Sequence, residues 1–317
     1  MRTTKNMILE KELWAGLNKP GIELENADIV VFGQAFDKAA SVRKGAADGP
    51  RHIREISYTI TPTTEDFELI EDVNVLDLGD FDNQNQEELF NEVKGNVIKI
   101  VKAGKFFTML GGDHSVSIPV YQALNESLDD DFGIIHMDAH FDLCDELNGN
   151  KLSHGCPTRR ATELDKVNGP DNIYFVGIRS IEMDEIEYMK KNKVNVINAR
   201  RFSKIGVDKA IEEVVNHMKK FKYVYLTFDI DVLDPGFAAG TGTPQFGGLS
   251  PREVLEFLRG IYELPIIGFD LVEVAPSLDP SLTSSYAARK IIIESWGHYL
   301  RKHGRLIKEP FLWRICN

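Results

Sequence analysis

Short runs that are apolar at successive rather than alternate positions recur along this chain, and they constrain its fold more than any other feature. They are Asp28-Ile29-Val30-Val31-Phe32-Gly33, Phe106-Phe107-Thr108-Met109-Leu110, Phe132-Gly133-Ile134-Ile135-His136-Met137, Ile173-Tyr174-Phe175-Val176-Gly177, Val194-Asn195-Val196-Ile197, Tyr223-Val224-Tyr225-Leu226-Thr227-Phe228 and Pro265-Ile266-Ile267-Gly268-Phe269. A strand apolar on both faces must be covered on both, which points to a mainly parallel sheet with helices on either side. Helical spacing appears between several runs: Leu89, Phe90, Val93, Val97, Ile100 and Val101 lie on one stripe within 88–103. Ser250-Pro251-Arg252-Glu253 has the cap, the early proline and the acid three positions on that make a capping box. Pro50 after Asp48-Gly49 marks another helix start, and a last helix is expected over about 284–301, carrying Ile291, Ile292, Ile293 and Trp296. Residues 1–26 are expected to form a short helix and a lead-in. Without a linker, a repeat or a low-complexity tract, the chain reads as one domain, 1–317.

Charge and cysteine usage exclude several functions. The 49 acidic and 37 basic residues give a net charge of -12, with no basic block to track phosphates or anionic lipid, so neither nucleic acid nor a membrane is an expected partner. An acidic protein favours the approach of a cationic substrate. Cys144, Cys156 and Cys316 form neither a C-x-x-C pair nor a disulfide framework, which fits a reducing cytoplasm. No stretch is long enough to span a bilayer.

Chemistry concentrates where these runs end. Asp138-Ala139-His140-Phe141-Asp142 follows the Phe132–Met137 run. If the strand continues, Asp138, His140 and Asp142 point to one side, because side chains two apart share a face. Two carboxylates and an imidazole packed together call for a cation, since otherwise repulsion and desolvation oppose folding. Asp229-Ile230-Asp231 follows the strand ending in Phe228 and repeats the pattern, and His114 follows Gly111-Gly112-Asp113. D-x-D is ordinarily a loop cap and a single loop His is ordinarily exposed, but three such clusters at three strand ends are poorly explained as caps. Four Asp with two neutral His balance two divalent cations. Oxygen-rich ligands with imidazole and no thiolate suit Mn²⁺ better than structural zinc, although Zn²⁺, Co²⁺ or Ni²⁺ are compatible. Two cations roughly 3.5 Å apart lower the pKa of a shared water and imply hydrolysis.

Gly-Gly-Asp-His-Ser at 111–115, Asp-Ala-His-Phe-Asp at 138–142 and Asp-Ile-Asp-Val-Leu-Asp-Pro at 229–235 resemble the three metal motifs of the ureohydrolase family, which contains arginases and agmatinases. The similarity runs from about residue 28 to 296. It implies an arginase-like three-layer α/β/α sandwich whose two Mn²⁺ per subunit serve hydrolysis of a guanidino group to urea and an amine. By the same resemblance one metal is held by His114, Asp138, Asp142 and Asp229, and the other by Asp138, His140, Asp229 and Asp231, with Asp138 and Asp229 bridging. Asp142 passes a proton to the leaving amine, and His154 shuttles protons at the mouth of the site. Glu273 pairs with the guanidinium, for which a carboxylate suits charge-assisted bidentate bonding. Thr243 orients the substrate through its hydroxyl. Trimers or hexamers are the expected assemblies.

The resemblance also bears on the substrate. Arginase-like members carry an Asn two positions after the last Asp of the Asp-x-His-x-Asp motif, where this chain has Cys144, which disfavours arginine. His136, Ser153-His154-Gly155 with Pro157 and Arg159-Arg160-Ala161, and Gly242-Thr243-Pro244 leading to Gly247-Gly248-Leu249-Ser250 are agmatinase-like. Agmatine, hydrolysed to putrescine and urea in polyamine biosynthesis, is therefore the leading substrate. Guanidinobutyrase, guanidinopropionase, arginase and formimidoylglutamase activities are the alternatives, followed by a non-catalytic metal-binding homologue. Cys156 and Thr158 depart from the pattern. Arg159 and Arg160 would suit an acidic substrate tail, but ion pairing on a helix surface is the better account of both.

Overall fold

The computed structural model describes residues 10–308. In chain order its strands are Ile29–Gln34 (β1), Glu68–Leu69 (β2), Val75–Phe81 (β3), Phe106–Leu110 (β4), Phe132–Met137 (β5), Ile173–Val176 (β6), Asn195–Ile197 (β7), Tyr223–Asp229 (β8), Ile266–Val272 (β9) and Ile307–Lys308 (β10). Eight of them form one sheet in the order β3-β1-β4-β9-β8-β5-β6-β7. Every pairing in it is parallel, whereas β2 and β10 make a separate antiparallel pair. The helices are Gly49–Ser57 (α1), Gln86–Lys102 (α2), Ile118–Ser127 (α3), Pro157–Thr162 (α4), Met183–Met189 (α5), Ala199–Ile205 (α6), Val207–Met218 (α7), Pro251–Ile261 (α8) and Thr283–Lys302 (α9).

Alternation within each strand divides the core in two. Val30, Phe32, Phe107, Met109, Ile134 and Tyr225 face α2 and α3, where Leu89, Phe90, Val93, Val97 and Leu124 meet them. Ile29, Val31, Phe106, Ile135, Leu226, Phe228 and Phe269 face the opposite layer, against Val214, Phe257, Ile292 and Trp296. Each such fully buried side chain contributes roughly 1.5–3 kcal/mol relative to exposure. The expected α/β/α layering is thus what the apolar runs produce.

Local signals account for the helix boundaries. Ser250 and Glu253 form the expected capping box at α8, with Ser250 Oγ accepting from Glu253 N and Glu253 Oε2 accepting from Ser250 N. At α2 the Asn85 side chain accepts from Glu87 N and Glu88 N. The lead-in differs from expectation. Residues 10–26 contain only short 3-10 turns, at Glu10–Glu12, Trp14–Gly16 and Leu24–Asn26, because Trp14 and Ala15 adopt φ of 56° and 59° and turn the chain. The turn buries Trp14, whose Nε1 donates to Asp77 Oδ2 at 2.8 Å. Residues 1–9, and Cys316, lie outside the described residues.

Topology places the site. After β4 the chain crosses to β5 and builds outward through β6 and β7, and only then returns to fill the gap with β8 and β9. The carboxyl ends of β4, β9, β8 and β5 therefore lie side by side, at the position where open parallel sheets bind ligands.

Candidate metal centre

Beyond β4 the chain must turn sharply against a neighbouring loop, and Gly112 permits it: a Cβ there would lie 1.8 Å from the carbonyl oxygen of Phe36. Asp113 N donates to that same Phe36 oxygen at 2.8 Å, which fixes the turn that delivers His114. From β5 the chain delivers Asp138, and from β8 it delivers Asp229 as the last strand residue and Asp231 within a 3-10 turn.

The period-two expectation for Asp138, His140 and Asp142 is corrected in its mechanism. The strand ends at Met137, and Asp142 reaches the cluster from a left-handed conformation, φ 54°. Glu273, just past β9, is left-handed as well, φ 62°. A non-glycine residue held there costs on the order of 1 kcal/mol, and such residues cluster at functional sites.

Three aspartates share one design. Asp138 Oδ1 accepts from His140 N at 2.6 Å, Asp229 Oδ1 from Asp231 N at 2.8 Å, and Asp231 Oδ1 from Ala139 N at 3.0 Å. One oxygen of each is thus anchored to backbone, and the other faces a common centre. His114 Nδ1 lies 3.1 Å from Asp138 Oδ2, 3.0 Å from Asp142 Oδ2 and 3.4 Å from Asp229 Oδ2. His140 Nδ1 lies 3.4 Å from Asp138 Oδ1 and 3.1 Å from Asp231 Oδ2. Asp138 therefore stands between two imidazoles.

Electrostatics in this cluster are unbalanced without a cation. Asp138, Asp229 and Asp231 are buried, and among the described residues no lysine or arginine pairs with any of them or with Asp142. Burial, reinforced by the charges of Asp231 and Asp138, pushes the Asp229 carboxyl well above its usual range. Burial opposes charge on His140 too, yet Asp231 and Asp138 push its imidazole up to about 12. His114 Nδ1, Asp138 Oδ2 and Asp231 Oδ2 are buried without a hydrogen-bond partner. Orphaned atoms of this kind, all lone-pair donors turned on one centre, fit divalent cations. Among the described residues two groups have donor atoms within 4.8 Å of one another: His114, His136 and Asp138, and Asp138, His140 and Asp231.

A cleft of about 260 Å³ opens over the cluster and is lined by His114, His140, Asp142 and Asp229 together with His154, Thr243 and Glu273. His154 and Glu273 touch, Nδ1 to Oε1 at 3.1 Å. Ser41 N donates to His154 Nε2 at 3.1 Å, and His114 N donates to Glu273 Oε1 at 3.0 Å. Seven of the nine sequence-derived residues thus line one opening, and Asp138 and Asp231 lie buried against His114 and His140. Cys144 and Cys156 are buried beside it; burial pushes the Cys156 thiol up to about 12 and that of Cys144 higher, so both stay neutral. Arg160 pairs with Asp145 and Glu163, at 2.9 and 2.8 Å, and Arg159 lies 4.1 Å over the Tyr188 ring, so neither lines the cleft.

Sequence reasoning left three members of this centre unassigned. His136, an agmatinase-like position with no ligand role assigned from sequence, has its Nε2 3.0 Å from Asp138 Oδ2. Thr227, inside the apolar run of β8, and Asp270, one residue past the run that begins β9, lie beneath His114. For His136 and Thr227 a polar residue inside an otherwise apolar run is the available signal.

Comparison with known proteins agrees with this geometry. Residues 27–297 match the model of the Arginase family. The agmatinase of Bacillus subtilis is 38% identical over 277 residues, 86% of this chain and 92% of that protein. That of Bacillus anthracis is 37% identical over 276 residues, covering 85% and 91%. Among solved structures, the proclavaminate amidino hydrolase of Streptomyces clavuligerus superposes with a TM-score of 0.82 at 32% identity, covering 92% of this chain and 97% of that one. With its sheet, its cluster of acids and imidazoles and its sequence in agreement, the chain belongs to the Arginase family.

Proposed function

We propose that this chain is a manganese-dependent ureohydrolase that converts agmatine and water to putrescine and urea. The observation that carries the reading is the pairing of an unbalanced acidic cluster with a cleft that no lysine or arginine among the described residues lines. Glu182, Glu185 and Glu273 line that cleft, and among the described residues no lysine or arginine does. Such a lining suits a substrate with a cation at each end and no carboxylate, which describes agmatine better than arginine or guanidinobutyrate. Cys144, small and neutral, offers no partner to an α-amino acid head group. Agmatinases are prominent among the related sequences.

Two Mn²⁺ ions would be held by His114, Asp138, Asp142 and Asp229 and by Asp138, His140, Asp229 and Asp231. Bound there, they supply a water whose pKa is lowered towards neutrality. Glu273, steadied through Oε1 by His114 N–H and His154, pairs with the guanidinium and orients its carbon. Thr243 adds a positioning hydroxyl. Asp142 accepts the proton released during attack and passes it to the departing amine, and His154 exchanges protons with solvent. The whole chain acts as one catalytic domain, in a homo-oligomer, trimer or hexamer, in the cytoplasm. Among the described residues no helix is long and apolar enough to cross a membrane.

The test is urea release from agmatine, arginine, guanidinobutyrate and guanidinopropionate by Mn²⁺-loaded protein. Agmatine should give the highest kcat/KM. Absence of urea from all four would overturn the proposal, and preference for an acidic-tailed compound would overturn the substrate assignment.

A further inference from the structure

Beneath the cluster lies a buried hydrogen-bonded chain that the proposed catalysis does not use. His114 Nε2, the ring nitrogen turned away from the aspartates, is 2.8 Å from Thr227 Oγ1. Thr227 Oγ1 in turn donates to Asp270 Oδ1 at 2.7 Å. Asp270, Thr227 and His114 are 0%, 0% and 1% exposed, so water does not substitute for any link.

Asp270 is surrounded by donors. Oδ1 accepts from Thr227 Oγ1 and from Phe228 N at 3.2 Å, and Oδ2 accepts from Tyr225 OH at 2.9 Å and Ser117 Oγ at 2.8 Å. A threonine hydroxyl has a single proton. With that proton committed to Asp270, Thr227 faces His114 with lone pairs only, and the group opposite must be N–H. That nitrogen is Nε2. In a neutral imidazole with hydrogen on Nε2 the Nδ1 lone pair is bare, and Nδ1 is the atom directed at Asp138, Asp142 and Asp229.

We infer that Asp270 and Thr227 are positioning residues that hold His114 in its Nε2–H form, so that Nδ1 is the nitrogen presented to a divalent cation. Neither residue touches substrate or metal. Their contribution is to remove the alternative tautomer and fix the plane of the ring before a cation arrives, as outer hydrogen bonds to metal-binding histidines generally do. Asp270 Oδ1, which faces the Phe228 amide as well as the Thr227 hydroxyl, is the acceptor on which this arrangement depends.

The inference rests on the metal reading of the cluster, and its test separates the two. Mn²⁺ is titrated calorimetrically into metal-stripped full-length wild type, Asp270→Ala, Thr227→Val and Thr227→Ser, with circular dichroism confirming folding. Wild type should bind two ions, Asp270→Ala and Thr227→Val should lose about 10- to 100-fold in affinity at one of them, and Thr227→Ser should stay within about threefold of wild type. In parallel, long-range ¹H–¹⁵N spectra of the ¹¹³Cd²⁺-loaded wild type, for which no variant need fold, should show Cd coupled to His114 Nδ1 with hydrogen on Nε2. Cd coupled to Nε2, or Asp270→Ala and Thr227→Val binding Mn²⁺ as tightly as wild type, overturns the inference while leaving the metal centre intact. No Mn²⁺ binding by wild type overturns both.

Discussion

His154 Nδ1 and Glu273 Oε1 are 3.1 Å apart, which ties the loop at the mouth of the cleft to the strand end at its floor. Because Ser41 N donates to His154 Nε2, the ring hydrogen sits on Nδ1 and points at Glu273. The carboxylate is thereby oriented with one oxygen occupied by His154 and His114 N–H, and no hydrogen bond is made to Oε2 among the described residues. Replacing it by an amide keeps the shape and removes the charge. Glu273→Gln should lower kcat/KM for a guanidino substrate by about 3 kcal/mol, roughly a hundredfold, through the loss of one charge-assisted pair. Bound manganese should be unchanged by elemental analysis, which separates a substrate defect from a metal defect.

Asp231 contributes one oxygen to Ala139 N and leaves Oδ2 buried, unpartnered and 3.1 Å from His140 Nδ1. Asp231→Asn preserves the volume but places a neutral amide where a cation is expected. The variant should retain at most one manganese per chain and lose measurable urea release. Near-normal rates in metal-replete protein would remove Asp231 from the ligand set.

Stripping the metal should also lower stability, because the four acids lose their counter-charge. At a free Mn²⁺ concentration a hundredfold above Kd, binding adds about 2.7 kcal/mol. In a chain of 317 residues that corresponds to a rise in Tm of roughly 4 °C for each ion bound. Calorimetry in chelator and after Mn²⁺ readdition checks this, and an unchanged Tm would mean that the cluster holds no ion.

Much of this was legible in the residues, and the exceptions have physical reasons. Apolar runs announced the seven strands expected, since only a covered parallel sheet tolerates them. β3 was not announced: it is an edge strand in which Asp77 and Asp80 interrupt the pattern, and its acids pair with Arg54 across space. The run at 265–269 stopped short of Asp270, although β9 extends to Val272, because a buried aspartate resembles a strand end until its four donors are seen. The acids of the metal motifs were visible because their types are unusual after apolar runs. Thr227 and His136 were not assigned, since only the fold brings them under His114 and Asp138.

The turn before His114 offers a test of how the glycine pair shapes the centre. A methyl group at 112 would meet the Phe36 carbonyl oxygen at 1.8 Å, with further Phe36 backbone atoms at 2.7 and 2.9 Å. Backbone on that side does not yield as a flexible side chain would. Gly112→Ala should therefore destabilise the protein by at least about 2 kcal/mol or displace His114. Lower Tm together with weaker Mn²⁺ binding is the expected signature. Wild-type values for both would mean that the loop relaxes freely.

Far from the centre, His298 gives a prediction about acid. Its Nδ1 is 2.7 Å from Arg301 Nη1, and a guanidinium only donates, so that nitrogen must carry a lone pair. His298 is 5% exposed; burial, with the charges of Arg301 and Arg259 outweighing those of Asp66 and Glu65, pushes its pKa down to about 4. The unfolded chain binds this proton near pH 6.5 and the folded chain only near 4, so the contribution is complete above about pH 6.5 and disappears as pH falls towards 4. Its full size is at most about 3 kcal/mol. Asn keeps an acceptor near the Nδ1 position and cannot be protonated there. Denaturant titrations from pH 7.5 to 4.5 should show His298→Asn losing less stability than wild type, the difference growing steadily below pH 6.5. Parallel pH profiles for the two proteins would show that the ring is charged, or solvated, in the folded state.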